Sequence, residues 1–270
     1  MTSPALSIGR TWHEVSAIHY LAIQAGASDT KRRRAVAELL LDEQDQERAG
    51  LVAWMYDGYE AMYGTDPDWE ILTVEDQRLA RLPTMTGRAS RFYLRMRTDM
   101  VIRDRTLGRK VHVVDHKSGQ NLPTEKELDL DDQFGLYTYG ERQLGVPVFA
   151  SIYNAARTQR NISEQTLESR FSRTRIYRTD HELETIAREA YQTARAAYRY
   201  KPGEAPRAPD TSPIGPSRCK SKCPFTEPCL MGRKAGSRAE VLFLEAGGFV
   251  QMTEAEQLAE RGYVDPLMPP

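Results

Sequence analysis

The sequence predicts an α/β protein, a central mixed sheet flanked by helices, and three observations lead there. Residues 96–117 read as a β-hairpin, with β-branched residues in both arms around a turn that holds Gly108. A helical stretch follows and is stopped by Gly145 and Pro147, after which Val148 to Asn154 reads as a strand. A strand that returns beside the hairpin after a helical crossover is a βαβ step, which makes the sheet mixed. The chain of 270 residues is long enough to bury a substantial core.

Bulk properties set limits on function without choosing it. With 37 Lys+Arg against 38 Asp+Glu, a net charge of −1 and a pI near 6.6, no whole-chain field draws in nucleic acid, so any such site must be local. No apolar run is long enough for a membrane span and no signal peptide is evident, so a cytoplasmic protein is expected. Three cysteines confined to positions 219–229 are an odd-numbered cluster, which disfavours disulfides and suits metal ligation.

Taken in order, residues 9 to about 24 place Trp12, Val15, Ile18, His19 and Ala22 on one helical face, with His13 in the first turns. A second helix is expected from Thr30 to Leu41; its opening run Lys31-Arg32-Arg33-Arg34 reads as a solvated face, with DNA contact as the alternative. A third runs from about Asp45 to Tyr63 with Leu51, Met55, Tyr59 and Met62 inward. Turn residues at 64–68 lead into a strand from Trp69 to Ala80, in which alternation puts Ile71, Thr73, Glu75 and Gln77 on one face. After the hairpin come a polar loop, Ser118 to Lys126, and a helix, Leu130 to Leu144. Thr174 to Tyr177 is a short strand, and Thr179-Asp180-His181-Glu182 is a capping box opening a further helix to about Tyr198. Five prolines between 201 and 216 make an irregular connection to the cysteines; the tail beyond 232 has one apolar piece, 241–244, and one short helix, 253–261.

The hairpin carries the chemistry. If its turn centres on Leu107, Asp99 and Asp115 face each other across the ladder, a repulsive arrangement unless a cation lies between them. Lys117 shares the face of Asp115 because strand side chains alternate, and Glu75 is placed to join the acidic group. Gln133 and Tyr137, four apart, share a helix face. Two carboxylates with a backbone carbonyl, here that of His116, suit Mg²⁺ or Mn²⁺, which acidifies water and neutralises charge at a phosphodiester. Lys117 can then stabilise the transition state. The plain alternative is an ion pair of Asp115 with Lys117 or Arg97.

These pieces together resemble the RecB-like branch of the PD-(D/E)XK nucleases, over roughly residues 9–232. The order is Gly9 with His13, Asp99, Asp115 with Lys117, then Gln133 with Tyr137. The resemblance implies a restriction-endonuclease-like core. It makes His13, Asp99 and Asp115 metal ligands, Lys117 the catalytic lysine, and Gln133 and Tyr137 positioning groups for the site and the DNA strand. It also implies that Cys219, Cys223 and Cys229 hold a [4Fe-4S] cluster, although the fourth cysteine expected before Gly9 is not in this chain. Zinc is the other candidate for the thiolates, with His181 or His116 as a fourth ligand.

The expected organisation is therefore an N-terminal helical part, 1–64, a nuclease core, 65–200, a Pro-rich connection with the cysteine trio, 201–232, and a tail of unassigned role, 233–270. The expected activity is that of a metal-dependent DNA exonuclease acting on single strands or strand ends in recombination, repair or phage replication. A nucleic-acid-binding assembly protein that keeps the fold without turnover is the competing reading. Arg170, Arg173, Arg175 and Arg178, and Arg218, Lys220, Lys222, Arg233 and Lys234, are candidate DNA contacts.

Overall fold

A computed structural model describes residues 4–160 and 166–199. Three helices come first: α1 (Pro4–Gln24), α2 (Asp29–Leu41) and α3 (Gln46–Tyr63). Ser28 caps α2 by accepting from the Lys31 N–H, and Asp45 caps α3 by accepting from the Arg48 N–H at 3.0 Å, each satisfying a backbone donor that the first turn leaves free. α3 ends at Gly64, whose φ of 60° few other residues tolerate.

Five strands follow, β1 (Trp69–Pro83), β2 (Ala89–Asp104), β3 (Lys110–Gly119), β4 (Val148–Arg157) and β5 (Phe171–Ile176), and they stand in the sheet in sequence order. β1, β2 and β3 form an antiparallel meander, β4 joins β3 in parallel, and β5 closes the sheet antiparallel to β4. The chain between β3 and β4 holds α4 (Glu125–Asp129) and α5 (Asp132–Gln143), so the βαβ step is present. α4 lies where a polar loop is expected; its signal is Thr124 with Glu127, which form a reciprocal capping box. After α6 (Leu167–Arg170) and β5, α7 (Asp180–Arg199) opens with the expected box, Thr179 and Glu182 accepting each other's backbone N–H groups at 3.2 and 2.7 Å.

The sheet lies between two helical layers. Trp12, Val15, Val52, Met55 and Tyr59 of α1 and α3 close over Met100, Ile102, Val114 and Ile152 on one face. On the other, Tyr137 of α5 packs with Val101, Val111, Val113 and Val148. Farther along the β1–β2 ribbon the faces exchange. Val74 and Met100 pack with the α1–α3 layer, yet Ala80 and Met96, an even number of residues away, lie against Gly140 of α5, where a Cβ would come within 2.4 Å of the Met96 sulfur. The alternation expected for 71–77 is broken by a register shift between Ile71 and Thr73 and by Glu75, which has the left-handed φ of 53°. Among the described residues no helix is long and apolar enough to cross a membrane.

Several candidate DNA contacts have partners within the protein. Arg32 is buried and donates to Glu60 at 2.6 Å, Arg33 meets the same carboxylate at 2.7 Å, and Arg34 pairs with Glu38. Arg173 donates to Asp66 (2.8 Å) and Tyr59 (2.7 Å) and stacks on Tyr63, 3.4 Å from the ring centre. Arg175 reaches the buried Asp104 at 3.1 Å, Arg178 donates to the carbonyls of Leu128 and Asp129, and Arg170 lies over Trp54. Packing against buried acids, carbonyls and rings pins Arg32, Arg173 and Arg178, while Arg33, Arg34 and Arg175 keep exposed side chains.

His19, expected on the inward face of α1, is fully buried, with Nδ1 3.1 Å from the Tyr56 hydroxyl. Burial, with Arg32 adding to it, depresses its pKa to about 4. The unfolded chain binds this proton near pH 6.5 and the folded chain only near 4, so stability falls as pH drops through that window. Urea denaturation between pH 7 and 4.5 should show wild type losing up to about 1.4 kcal/mol per pH unit more than His19→Gln.

Candidate active site

The β2–β3 ladder runs from Asp104 opposite Lys110 to Met100 opposite Val114, and the next positions in that register are Asp99 and Asp115. The opposition expected from a turn at Leu107 therefore occurs, but no further rung forms. Instead Asp99 Oδ2 accepts the backbone N–H of His116 at 2.6 Å. Each carboxylate is given its own cation: His13 Nδ1 lies 3.1 Å from Asp99 Oδ2, and Lys117 Nζ lies 2.6 Å from Asp115 Oδ2. α5 supplies the third side. Asp131 caps it by accepting from the Gln133 N–H at 2.9 Å, and one turn exposes Gln133 and Tyr137 to the same point. Gln133 Nε2 donates to Asp115 Oδ1 at 3.3 Å and to the Tyr137 hydroxyl at 2.9 Å.

Glu75 enters through the break in β1. Its neighbours pair as Val74 with Met100 and Asp76 with Thr98, so it stands across from Asp99, and its left-handed backbone brings its carboxylate to the site. One ligand atom each from His13, Glu75 and Asp99 lies within 4.8 Å of the others. Arg97 holds Glu75 from the solvent side, Nε to Oε2 at 2.5 Å. A set of one imidazole and two carboxylates suits a hard divalent cation. Asp115, the other acid expected at the metal, faces Lys117 and Gln133. Asp115 Oδ2 is buried and receives no aligned hydrogen bond, so it retains acceptor capacity for a cation or a water.

Electrostatics separate the two aspartates. Burial lifts Asp115 to about 6, with Asp99 adding to the rise and Lys117 opposing it. Asp99 is equally subject to burial, but its hydrogen bond and charge pairing with His13 hold it below the ordinary value. His13 rises, because Asp99 outweighs the opposing effect of burial. Lys117 also rises, Asp115 more than offsetting burial. Burial next to Asp99 raises Glu75.

His116 contributes through its backbone. Its imidazole is buried, stacked on Tyr20 with ring centres 5.4 Å apart and Nδ1 2.9 Å from Asn154 Nδ2, which leaves it unavailable as a metal or zinc ligand. In a strand the carbonyl of a residue points the same way as its N–H, so the His116 carbonyl expected at the metal shares the edge that meets Asp99. His13 sits in the third turn of α1, which begins at Pro4 and not at Gly9. Cys219, Cys223 and Cys229, the basic residues around them, the Pro-rich connection and the tail lie outside the described residues.

No curated protein matches the chain in sequence. Among solved structures, that of SSO0001 aligns over 78% of this chain and 85% of its own at 15% identity, with a TM-score of 0.37. An alkaline exonuclease from Laribacter hongkongensis, LHK-Exo, aligns over 67% of this chain and 92% of its own at 14% identity and a TM-score of 0.23. Its complex with dAMP covers 67% and 89%, at 14% identity and 0.25. Likenesses this distant bear on no individual residue. The sequence profile of the PD-(D/E)XK nuclease superfamily, by contrast, matches residues 2–230, and the chain belongs to that superfamily.

Proposed function

We propose that the chain is a Mg²⁺- or Mn²⁺-dependent DNA exonuclease of the RecB-like kind, working on single strands or strand ends in recombination, repair or phage replication. The observation that carries this reading is the meeting of Asp115, Lys117 and Gln133 beside the donor set of His13, Glu75 and Asp99. His13, Glu75 and Asp99, with Asp115 and the His116 carbonyl alongside, would hold the cation. Bound there, it supplies Lewis-acid chemistry, acidifying water and neutralising charge on the phosphoryl oxygens.

The chain's own groups do the rest. Lys117 holds a full positive charge at the end of β3, half-buried, where a low effective dielectric strengthens its pull on a phosphoryl oxygen. Asp115, held between Gln133 and Lys117, is the carboxylate that takes a proton from the attacking water. Gln133 fixes the Asp115 carboxylate through Oδ1 and is itself steadied by Tyr137. His13 keeps Asp99 ionised. The [4Fe-4S] cluster of Cys219, Cys223 and Cys229 rests on the resemblance alone and enters no step; iron and acid-labile sulfide analysis of protein purified without oxygen tests it.

Cleavage should require Mg²⁺ or Mn²⁺ and a free end: linear end-labelled single strands are shortened while circular ones persist. Asp115→Asn and Lys117→Ala should each slow cleavage by roughly 10²–10³-fold. Activity surviving both, or circles cut as fast as linear strands, overturns the reading. In calorimetric titration with Mn²⁺ and no DNA, Asp99→Asn and Glu75→Gln should each weaken binding by more than the roughly tenfold typical of losing a supporting contact. Tyr137→Phe should leave Mn²⁺ affinity unchanged.

A further inference from the structure

Between Gln77 and Thr98 the chain has six arginines and no acidic residue, although acids and bases balance over the whole sequence. This stretch is the outer half of the β1–β2 ribbon. α7 covers one of its faces, where Leu82, Tyr139, Leu183 and Ala187 form a cluster with Phe92 and Leu94. On the other face Tyr93, Arg95 and Arg97 alternate along β2, with Leu79 and Arg81 beside them on β1, while Arg91, past the register shift between Arg81 and Pro83, stands at the ribbon's end beside α7; all six are exposed. Apolar and aromatic groups share this face: Leu79 is 48% and Tyr93 50% exposed.

The cations on this face are arranged with rings. Arg81 lies opposite Tyr93 in the register, its guanidinium 5.1 Å from the ring centre and its Nε donating to the hydroxyl at 3.1 Å. At the far end Arg91 lies 4.0 Å from the centre of the exposed Tyr198 ring of α7. Neither Arg81 nor Arg91 has a carboxylate partner among the described residues. At the inner end the row reaches the candidate metal site by direct contact, since Arg97 is bonded to Glu75, whose carboxylate belongs to the set with His13 and Asp99. The row from Arg97 to Arg91 spans about 20 Å at the usual strand rise.

We infer that this face of the β1–β2 ribbon is the track along which a single nucleic-acid strand runs into the metal site, its phosphates on Arg81, Arg91 and Arg95 and an unstacked base on Tyr93. Exposed rings interleaved with guanidinium groups take up unpaired bases and backbone together. A duplex would present phosphates and leave Tyr93 nothing to stack on. Charge complementarity favours a polyanion over a protein partner, because residues 77–98 contain no acid. The inference rests on the nuclease reading for the direction of travel, but the binding it assigns can be measured without cleavage.

The test uses the full chain in two assays. Fluorescence anisotropy with EDTA present measures affinity for a labelled strand of roughly thirty nucleotides as salt is varied. Arg91→Glu combined with Tyr93→Ala, and separately Arg81→Glu, should each weaken binding at least tenfold, with a flatter salt dependence. Circular dichroism and melting temperature should stay as in wild type. Cleavage with Mn²⁺ is then compared on a long strand and on a tetranucleotide too short to cover both the metal site and the far end of the ribbon. The variants should lose kcat/KM on the long strand and keep it on the tetranucleotide. Unchanged affinity in the folded variants, or equal losses on both substrates, overturns the track. Strand binding that depends on Arg91 and Tyr93 without any cleavage by wild type would overturn the catalytic reading and leave the track standing.

Discussion

The His116 backbone N–H donating to Asp99 at 2.6 Å is the contact on which the rest of the site depends. It diverts a donor that would have continued the β2–β3 ladder beyond Met100 and Val114 and gives it to a charged acceptor, which makes a stronger bond than a carbonyl would. Strand pairing therefore stops at the two aspartates, and the gap is filled by side chains from three directions: His13 from α1, Glu75 from β1 and Lys117 from β3. Asp99 is fixed to a backbone atom next to Asp115, so the two carboxylates hold their spacing without touching one another.

That contact is only as firm as His116, and the protein invests much of its buried polar structure there. Asn154 reaches the His116 ring and donates to Tyr59 at 2.6 Å, while Arg173 accepts no freedom of its own, bonded to Tyr59, Asp66 and Asn154. Tyr20 stacks on His116 and donates to Asp66 at 2.7 Å, closing the circuit. Removing one member of a buried ion pair such as Asp66 and Arg173 leaves an uncompensated charge, at a cost of about 3–5 kcal/mol. The network lies behind the sheet edge that carries the chemistry, and it couples α1, α3, β3, β4 and β5 to one strand residue.

How much of this was legible in the sequence differs from residue to residue for physical reasons. Asp99 facing Asp115, Lys117 on the same side, and Gln133 with Tyr137 follow from periods of two and four that local backbone geometry enforces, and the structure brings these residues together. Glu75 arrives differently from how alternation suggested. No residue type announces a left-handed φ at a glutamate. The arginines were the least legible. A guanidinium reads as surface charge until its partner is known, and Glu60, Asp66 and Asp104 lie 28, 107 and 71 positions from Arg32, Arg173 and Arg175. Such distant pairings leave no local pattern.

The charges around the ladder's end balance one another. Glu75, Asp99 and Asp115 face Arg97, His13 and Lys117, each acid with one base within 3.1 Å, so with His13 protonated the cluster is close to neutral. A neutral cluster offers a phosphodiester little attraction. Metal ligation requires the neutral imidazole, so a divalent cation held at His13 would displace one proton while adding two charges, and the cluster would then carry a net positive charge in a half-buried setting. Lys117 cannot provide that alone, because Asp115 already neutralises it at 2.6 Å. Under the proposed metal-dependent reading the lysine and a cation would therefore be complementary: one offsets the charge of Asp115, and the other would supply the excess.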